Sequence, residues 1–220
     1  MSEQGTIIEI GSHLWPRYIA IHEAGHAIAA WFLGCDQVEI ALANSQGVAD
    51  TFTAGVVDGC KAVAAYQYSY PKEIAEIKPH HLSTAYAREC LIEQACKSLI
   101  ISLSGVVAQS QYTGEGVSAL MQTSGKKDMH SVRDMVAVYK EAGGKDEDIQ
   151  YKSLSRARAL ITLKWWDAIA LAKILENRNH MPVSNFQNIM GNIDSPVPKV
   201  LTLSELDDLV NSNHNQHRAI

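Results

Sequence analysis

The chain has 220 residues, of which 46% are hydrophobic and 20% are charged. This length and composition are typical of one folded domain, or of one domain with an accessory segment, and exclude a disordered chain. With 19 basic and 24 acidic residues the net charge is −5, which argues against a nucleic-acid-binding protein and against electrostatic attachment to anionic lipid.

Neither a disulfide scaffold, a membrane span nor a signal peptide is predicted. The four cysteines form no CxxC pair and are loosely spaced, so we expect reduced, buried thiols. The most apolar run, residues 99–108, is about half the ~20 residues that a spanning helix needs. Residues 1–11 contain two acidic residues and no basic one, unlike a signal peptide. We therefore expect a cytoplasmic protein.

The first third of the sequence predicts one helix and a small sheet. Residues 15–33 are rich in Ala and Ile, and Gly34 follows at the position of a left-handed C-terminal cap. Residues 37–42 alternate between apolar and polar side chains, which is typical of a half-buried strand. Residues 51–57 are enriched in Thr, Phe and Val and predict a second strand. Residues 66–81 contain two prolines and predict an irregular connection with a short helix.

The middle of the sequence is predicted to be helical. Ser83 could cap a largely buried helix that has an apolar residue at every fourth position and ends near Gly114. A second helix includes residues 132–139 and is stopped by Gly143 and Gly144. A long helical pattern then covers residues 146–177.

The end of the sequence is predicted to be an extension of the domain. The chain becomes polar after Pro182, and a capping box from Thr202 to Glu205 predicts one short last helix. Residues 211–220 are polar and are predicted to be frayed. We therefore predict a mainly α-helical domain over residues 1–180 and a C-terminal extension over residues 181–220.

Residues 22–26 read His-Glu-Ala-Gly-His within the first predicted helix. Residues four apart are about 40° apart around an α-helix, so His22 and His26 point to the same side and offer zinc two nitrogen ligands. Glu23 could take a proton from a zinc-bound water without ligating the metal itself. The apolar flanks place the motif in a buried helix, where unpaired His and Glu would be costly. Gly25 costs about 1 kcal/mol relative to Ala in mid-helix, which indicates that another element packs very close.

A catalytic zinc site needs a third protein ligand. The metzincin pattern is excluded because Phe32 stands where that class requires a histidine. Glutamates on a later helix could supply the ligand in the gluzincin manner, and Glu89 and Glu93 are the candidates.

The string from Ile21 to Leu33, Ile-His-Glu-Ala-Gly-His-Ala-Ile-Ala-Ala-Trp-Phe-Leu, resembles the protease domain of FtsH-type AAA zinc proteases. This resemblance implies a zincin-like fold with a small sheet near the metal, and a third ligand that is an aspartate opening a helix after a Gly-x-x-Ala segment. Gly105-Val-Val-Ala108 and then Asp128 occur in that order, so the resemblance implies Asp128 as the ligand. The alternatives are that Asp128 caps the following helix, or that His130 is the ligand. The segment continues as Gln109-Ser110, where the family has an acidic pair.

The sequence lacks the phosphate-binding loop of the family's ATPase motor, since neither Gly-Lys pair has the required upstream glycine or a following Ser or Thr. We therefore predict an ATP-independent zinc metallopeptidase that acts on flexible or unfolded polypeptides, with a separate motor or a homo-oligomer as conceivable partners. The alternatives are a catalytically silent zinc-binding adaptor and a chain without metal. If the second strand is an exposed edge, Thr53, Ala54 and Gly55 could pair with an extended peptide. His80 and His81 are expected to be solvated.

Overall fold

The computed structural model describes residues 7–10, 13–42, 62–68, 84–175, 180–193 and 200–217. Helices dominate these residues, so the prediction of a mainly α-helical fold is confirmed. The helices are α1 (Arg17–Phe32), α2 (Ala85–Thr113), α3 (Val117–Leu120), α4 (Asp128–Glu141), α5 (Ile149–Leu163), α6 (Trp165–Leu175), α7 (Val183–Ile193) and α8 (Leu203–His217). The strands are β1 (Ile7–Ile10), β2 (His13–Pro16), β3 (Cys35–Leu42), β4 (Ala62–Tyr68) and β5 (His180–Met181).

Helices α1 and α2 pack against each other at the centre of the described fold. Every residue of α1 from Ala20 onward is buried. A Cβ atom at Gly25 would lie 2.6 Å from the carbonyl oxygen of Ser104 and 2.7 Å from Cβ of Ala108. The close approach predicted from this mid-helix glycine is therefore confirmed. The predicted cap is also present, since Gly34 follows α1 with a φ angle of 96°.

Helix α2 is capped at both ends. The hydroxyl of Thr84 accepts a hydrogen bond from the N–H of Ala87 at 3.2 Å, so the N-cap lies one residue after the predicted Ser83. At the other end Gly114 has a φ angle of 77° and donates its N–H to the carbonyl oxygen of Ser110. The predicted end of the helix is confirmed.

Helix α2 is also long and apolar enough to cross a membrane by length and composition. The sequence argument against a span considered residues 99–108 alone, whereas the 29-residue helix contains an 18-residue window of mean hydropathy 1.5. Of this window, 67% is buried inside the protein. The buried core helix of a globular fold passes the same test, so this property by itself does not identify a membrane span.

Two small antiparallel sheets accompany the helices. Strands β1 and β2 form a hairpin that the sequence did not predict, and the second sheet has the order β4-β3-β5. In β3, Val38, Ile40 and Leu42 are buried, as the alternating pattern of this strand predicted. Strand β4 includes residues 66–68, for which the prediction of an irregular connection was wrong. The predicted strand over residues 51–57, with Thr53, Ala54 and Gly55, lies outside the described residues.

The helical pattern predicted over residues 146–177 is divided into α5 and α6, so the prediction of one continuous helix was wrong. The break falls at Lys164, whose φ and ψ angles of −108° and 23° leave the helical range. Because α5 packs against α2 and α6 packs against α1, the change of direction lets each apolar face contact a different central helix. The ammonium group of Lys164 lies 4.0 Å from the centre of the Phe32 ring, a cation–π contact.

The C-terminal segment packs onto β3, α5 and the end of α1. Strand β5 pairs with β3, and α7, which the sequence did not predict, contacts the same strand. The segment adds the following side chains to the hydrophobic core that contains α1 and α2: Met181, Phe186, Met190, Leu201 and Leu206. The capping box is confirmed, because the N–H of Glu205 donates to the Thr202 hydroxyl and the N–H of Thr202 donates to the Glu205 carboxylate. Helix α8 continues to His217, so it is longer than the short last helix that the sequence predicted, and the fraying of residues 211–220 stays a prediction.

Candidate metal centre

His22, His26 and Asp128 lie together, although Asp128 is 106 residues from His22 in the sequence. The two histidines project from one face of α1, as their spacing predicted, with ring centres 4.8 Å apart. Asp128 is the first residue of α4. One ligand atom from each side chain lies within 4.8 Å of the other two. Within the described parts of the chain, this is the one group of histidine, cysteine and acidic side chains that could hold a metal ion.

The Asp128 carboxylate faces both imidazoles. Its Oδ2 atom lies 3.1 Å from Nε2 of His22, and its Oδ1 atom lies 3.5 Å from Nε2 of His26. The histidine side chains are 9% and 8% exposed, whereas the Asp128 side chain is 22% exposed. Solvent therefore reaches the cluster most easily from the side of Asp128.

The other ring nitrogens are held by hydrogen-bond acceptors of α2. Nδ1 of His26 donates to the backbone carbonyl oxygen of Ile101 at 2.8 Å, and Nδ1 of His22 donates to the Gln109 amide oxygen at 2.9 Å. A carbonyl oxygen can only accept, so the proton of each neutral imidazole is placed on Nδ1. The Nε2 lone pairs are then both directed toward Asp128.

This arrangement requires a positive charge, because two nitrogen lone pairs face a carboxylate that can only accept. In the metal-free protein a proton can supply that charge. Burial lowers the pKa of His26, but the Asp128 carboxylate, Glu23 and the Ile101 carbonyl outweigh burial and raise the pKa from 6.5 to about 9. Burial raises the pKa of Asp128, yet the two imidazoles outweigh it and hold that pKa well below its usual range. The site is therefore built to stabilise a cation.

Helix α2 also leaves space beside the imidazoles. A Cβ atom at Gly105 would overlap Nε2 of His26, and it would lie 2.6 Å from Cε1 of that ring and 2.7 Å from Nε2 of His22. No side chain fits there, so the Nε2 atoms of both histidines face the bare backbone of α2. The absence of a side chain at residue 105 keeps the ligand side of both rings clear.

The donor set fits a divalent metal ion. Zinc takes imidazole nitrogen and carboxylate oxygen in a tetrahedron with bonds of about 2.0–2.2 Å, which places neighbouring ligand atoms roughly 3.3–3.5 Å apart. The 3.1 Å between Nε2 of His22 and Oδ2 of Asp128 is close to that separation, and the second carboxylate oxygen, Oδ1, lies 3.5 Å from Nε2 of His26. Three protein ligands leave the fourth position open, as in catalytic zinc sites. His22, His26 and Asp128 could therefore hold Zn²⁺.

Glu23 lies beside this cluster. Its side chain is 7% exposed, and its charge contributes to the raised pKa of His26. An attacking water at the histidine cluster would need a nearby proton acceptor, and Glu23 is a buried carboxylate next to that cluster.

The other candidate third ligands do not reach the histidines. Glu89 and Glu93 are exposed on the N-terminal half of α2, roughly 24 and 18 Å along the helix axis from Gly105 at 1.5 Å per residue. Glu93 forms a salt bridge with Lys97 at 2.7 Å. His130 is exposed, and its Nδ1 donates to the carbonyl oxygen of Lys126 at 3.0 Å. The gluzincin alternative and His130 are therefore wrong as ligands in this structure.

Asp128 is not the cap of its helix, because the N-cap position of α4 is occupied by Lys127, which makes no side-chain capping bond. The carboxylate oxygens of Asp128 contact the imidazoles instead. His80 and His81 lie outside the described residues.

Sequence reasoning missed three contributors from α2: the carbonyl of Ile101, the bare backbone of Gly105 and the amide of Gln109. They are spaced four residues apart and therefore lie on one face of the helix. A glycine and a glutamine four residues apart in the buried part of this helix were the available signal.

Comparison of the chain with protein-family models and with curated proteins gave no match. The resemblance to FtsH-type proteases therefore stays a prediction from the motifs that carry it.

Proposed function

We propose that the protein is a zincin-like, zinc-dependent metallopeptidase that hydrolyses peptide bonds in flexible or unfolded polypeptides. One observation carries this proposal: two imidazole Nε2 atoms from α1 and a carboxylate from α4 converge, while both Nδ1 atoms are bound by acceptors. Distant parts of the chain thus supply a three-ligand set of the kind that catalytic zinc requires.

In this proposal His22, His26 and Asp128 bind the zinc ion. When bound, zinc would lower the pKa of a coordinated water and polarise the scissile carbonyl. Glu23 accepts the proton of the attacking water and returns it to the leaving nitrogen. The polypeptide approaches from the Asp128 side, because that side chain is the most exposed of the three ligands.

The substrate class follows from the likeness to FtsH-type protease domains and from these 220 residues, which contain no phosphate-binding loop. The peptidase unit by itself would act on segments that are already extended, or would receive them from a motor. We further propose that it works in the cytoplasm, alone or as a homo-oligomer.

The test uses purified protein loaded with zinc and an unfolded casein substrate. Glu23→Gln should keep stoichiometric zinc and reduce cleavage by about 10²–10⁴-fold, since it removes the proton acceptor and not a ligand. His22→Ala should lose both zinc and cleavage. Glu141→Gln, the same change at an exposed position of α4, is the matched control and should behave like the wild type.

Two further variants test the third ligand. Asp128→Ala should lose zinc, whereas Glu93→Ala should retain it, because Glu93 is exposed and paired with Lys97. A wild-type protein that holds stoichiometric zinc and cleaves neither casein nor short peptides would favour the silent adaptor. A wild-type protein that binds no zinc, by atomic absorption, would overturn both proposals.

A further inference from the structure

Gln109 joins two parts of the candidate metal centre through a single atom. Its side chain lies on α2 and the residue is 3% exposed. The amide oxygen accepts one hydrogen bond from Nδ1 of His22 at 2.9 Å and a second from the hydroxyl of Ser124, also at 2.9 Å. Two donors occupy both lone pairs of that oxygen.

The Ser124 hydrogen bond reaches the segment that carries the third ligand. Ser124 begins a single 3₁₀ turn, Ser124–Lys126, which leads within four residues to Asp128. The next residue, Gly125, is buried against α2, and a Cβ atom there would overlap the side chain of Val106. The turn is therefore fixed on α2 by close packing and by the hydroxyl–amide bond.

We propose that Gln109 is a positioning residue that sets the His22 imidazole and the Asp128 turn relative to each other, and so determines the affinity for zinc. This inference rests on the proposed metal centre and deepens it. His22 comes from α1 and Asp128 comes from α4, and the Gln109 oxygen bonds to His22 itself and to the turn before Asp128. The same oxygen holds the His22 proton on Nδ1, which leaves Nε2 free to ligate.

The first experiment measures Zn²⁺ affinity by competition with a chromophoric chelator. Gln109→Met keeps the length of the side chain and removes the acceptor, and it should weaken Zn²⁺ binding by about 10–100-fold. Ser124→Ala should weaken binding by a smaller factor. The double variant should bind as weakly as Gln109→Met and no more weakly, because Ser124 acts through Gln109. Ser110→Ala is the matched control, since its hydroxyl donates to the carbonyl oxygen of Glu115 and not to Gln109 or the histidines.

Two further readouts separate positioning from general structural damage. Gln109→Glu restores an acceptor oxygen and should recover wild-type affinity or exceed it. In the metal-free protein, ¹⁵N chemical shifts should place the His22 proton on Nδ1 in the wild type and show both tautomers in Gln109→Met. If Gln109→Met does not fold, the partly exposed Ser124→Ala and the Gln109→Glu rescue still test the proposal.

Unchanged Zn²⁺ affinity in a folded Gln109→Met protein would overturn the inference, as would losses that simply add in the double variant. Zinc binding with the expected variant pattern but without peptide cleavage would support the inference and refute the peptidase. A wild-type protein that does not bind Zn²⁺ would overturn both.

Discussion

Replacing Gly105 with alanine tests the geometry of the metal centre directly. The added methyl group would enter the space beside the two coordinating nitrogens, 2.6 Å from Cε1 of His26 and 2.7 Å from Nε2 of His22. Ordinary contacts begin at 3.4 Å, so the His22 ring must retreat by 3.4 − 2.7 = 0.7 Å to reach one. Its Nδ1 atom is hydrogen-bonded at 2.9 Å, so this retreat would disturb that bond or the position of Nε2.

The expected magnitudes differ for folding and for metal binding. Overpacking costs about 1–3 kcal/mol, while alanine in mid-helix regains about 1 kcal/mol relative to glycine, so the metal-free protein should lose only about 0–2 kcal/mol. Zinc requires both Nε2 atoms in place, so its affinity should fall by about 100-fold, or about 2.7 kcal/mol.

Urea unfolding of the metal-free protein and chelator competition for zinc measure the two effects separately. A folded Gly105→Ala protein with wild-type zinc affinity would show that the coordinating nitrogens do not face residue 105. If the free energy of unfolding fell by as many kcal/mol as the free energy of zinc binding, the methyl group would be acting by disrupting the packing of the two central helices.

Three other perturbations give different signatures. Gly25→Ala should destabilise the protein by about 1–2 kcal/mol in urea unfolding, because its Cβ atom would lie 2.6 Å from a backbone oxygen that cannot move away as a side chain can, while alanine in mid-helix regains about 1 kcal/mol. Asp207→Ala should lower the free energy of unfolding by about 1–2 kcal/mol, because the buried Arg156 guanidinium then loses the carboxylate that it contacts at 2.7 and 2.8 Å. Asp208→Ala, at the neighbouring position, is the control and should cost less. Zinc affinity should fall about tenfold for each pH unit below about 9, because zinc must displace the proton of His26, whose metal-free pKa is about 9. In the metal-free protein the same shift stabilises the fold fully below pH 6.5, and this contribution is lost as the pH rises through about 9, which thermal unfolding at several pH values would detect.

Helices with a continuous local pattern were predicted closely. The start of α1 lies two residues after the predicted start, and its glycine cap is where the sequence placed it. By contrast, α7 reads Val-Ser-Asn-Phe-Gln-Asn-Ile-Met-Gly-Asn-Ile, and its β-branched, asparagine and glycine residues favour a helix only weakly. Burial of Phe186 and Met190 in the core is a tertiary effect that a local pattern does not contain. The same holds for the break at Lys164, which depends on which central helix each segment contacts.

The histidines and the aspartate of the candidate site also differ in how far a local sequence rule predicts their positions. His22 and His26 were predicted to share a face because helix geometry relates residues four apart. No local rule relates Asp128 to them, and the prediction came from a resemblance. The roles of Gly105 and Gln109 depend on the face that α2 turns toward α1, which the apolar pattern of a helix buried on most sides does not specify.

The polar centre of this core explains why α2 carries a buried glutamine at residue 109. Burying two imidazoles and a carboxylate is tolerable only when each polar atom has a partner. The Ile101 carbonyl and the Gln109 amide bind the two Nδ1 atoms, and Asp128 faces the two Nε2 atoms. What is then missing is one positive charge between the Nε2 atoms and the carboxylate. A glutamate at residue 109 would add a third carboxylate to those of Asp128 and Glu23, whereas the neutral amide supplies the acceptor alone and leaves these two to attract the cation.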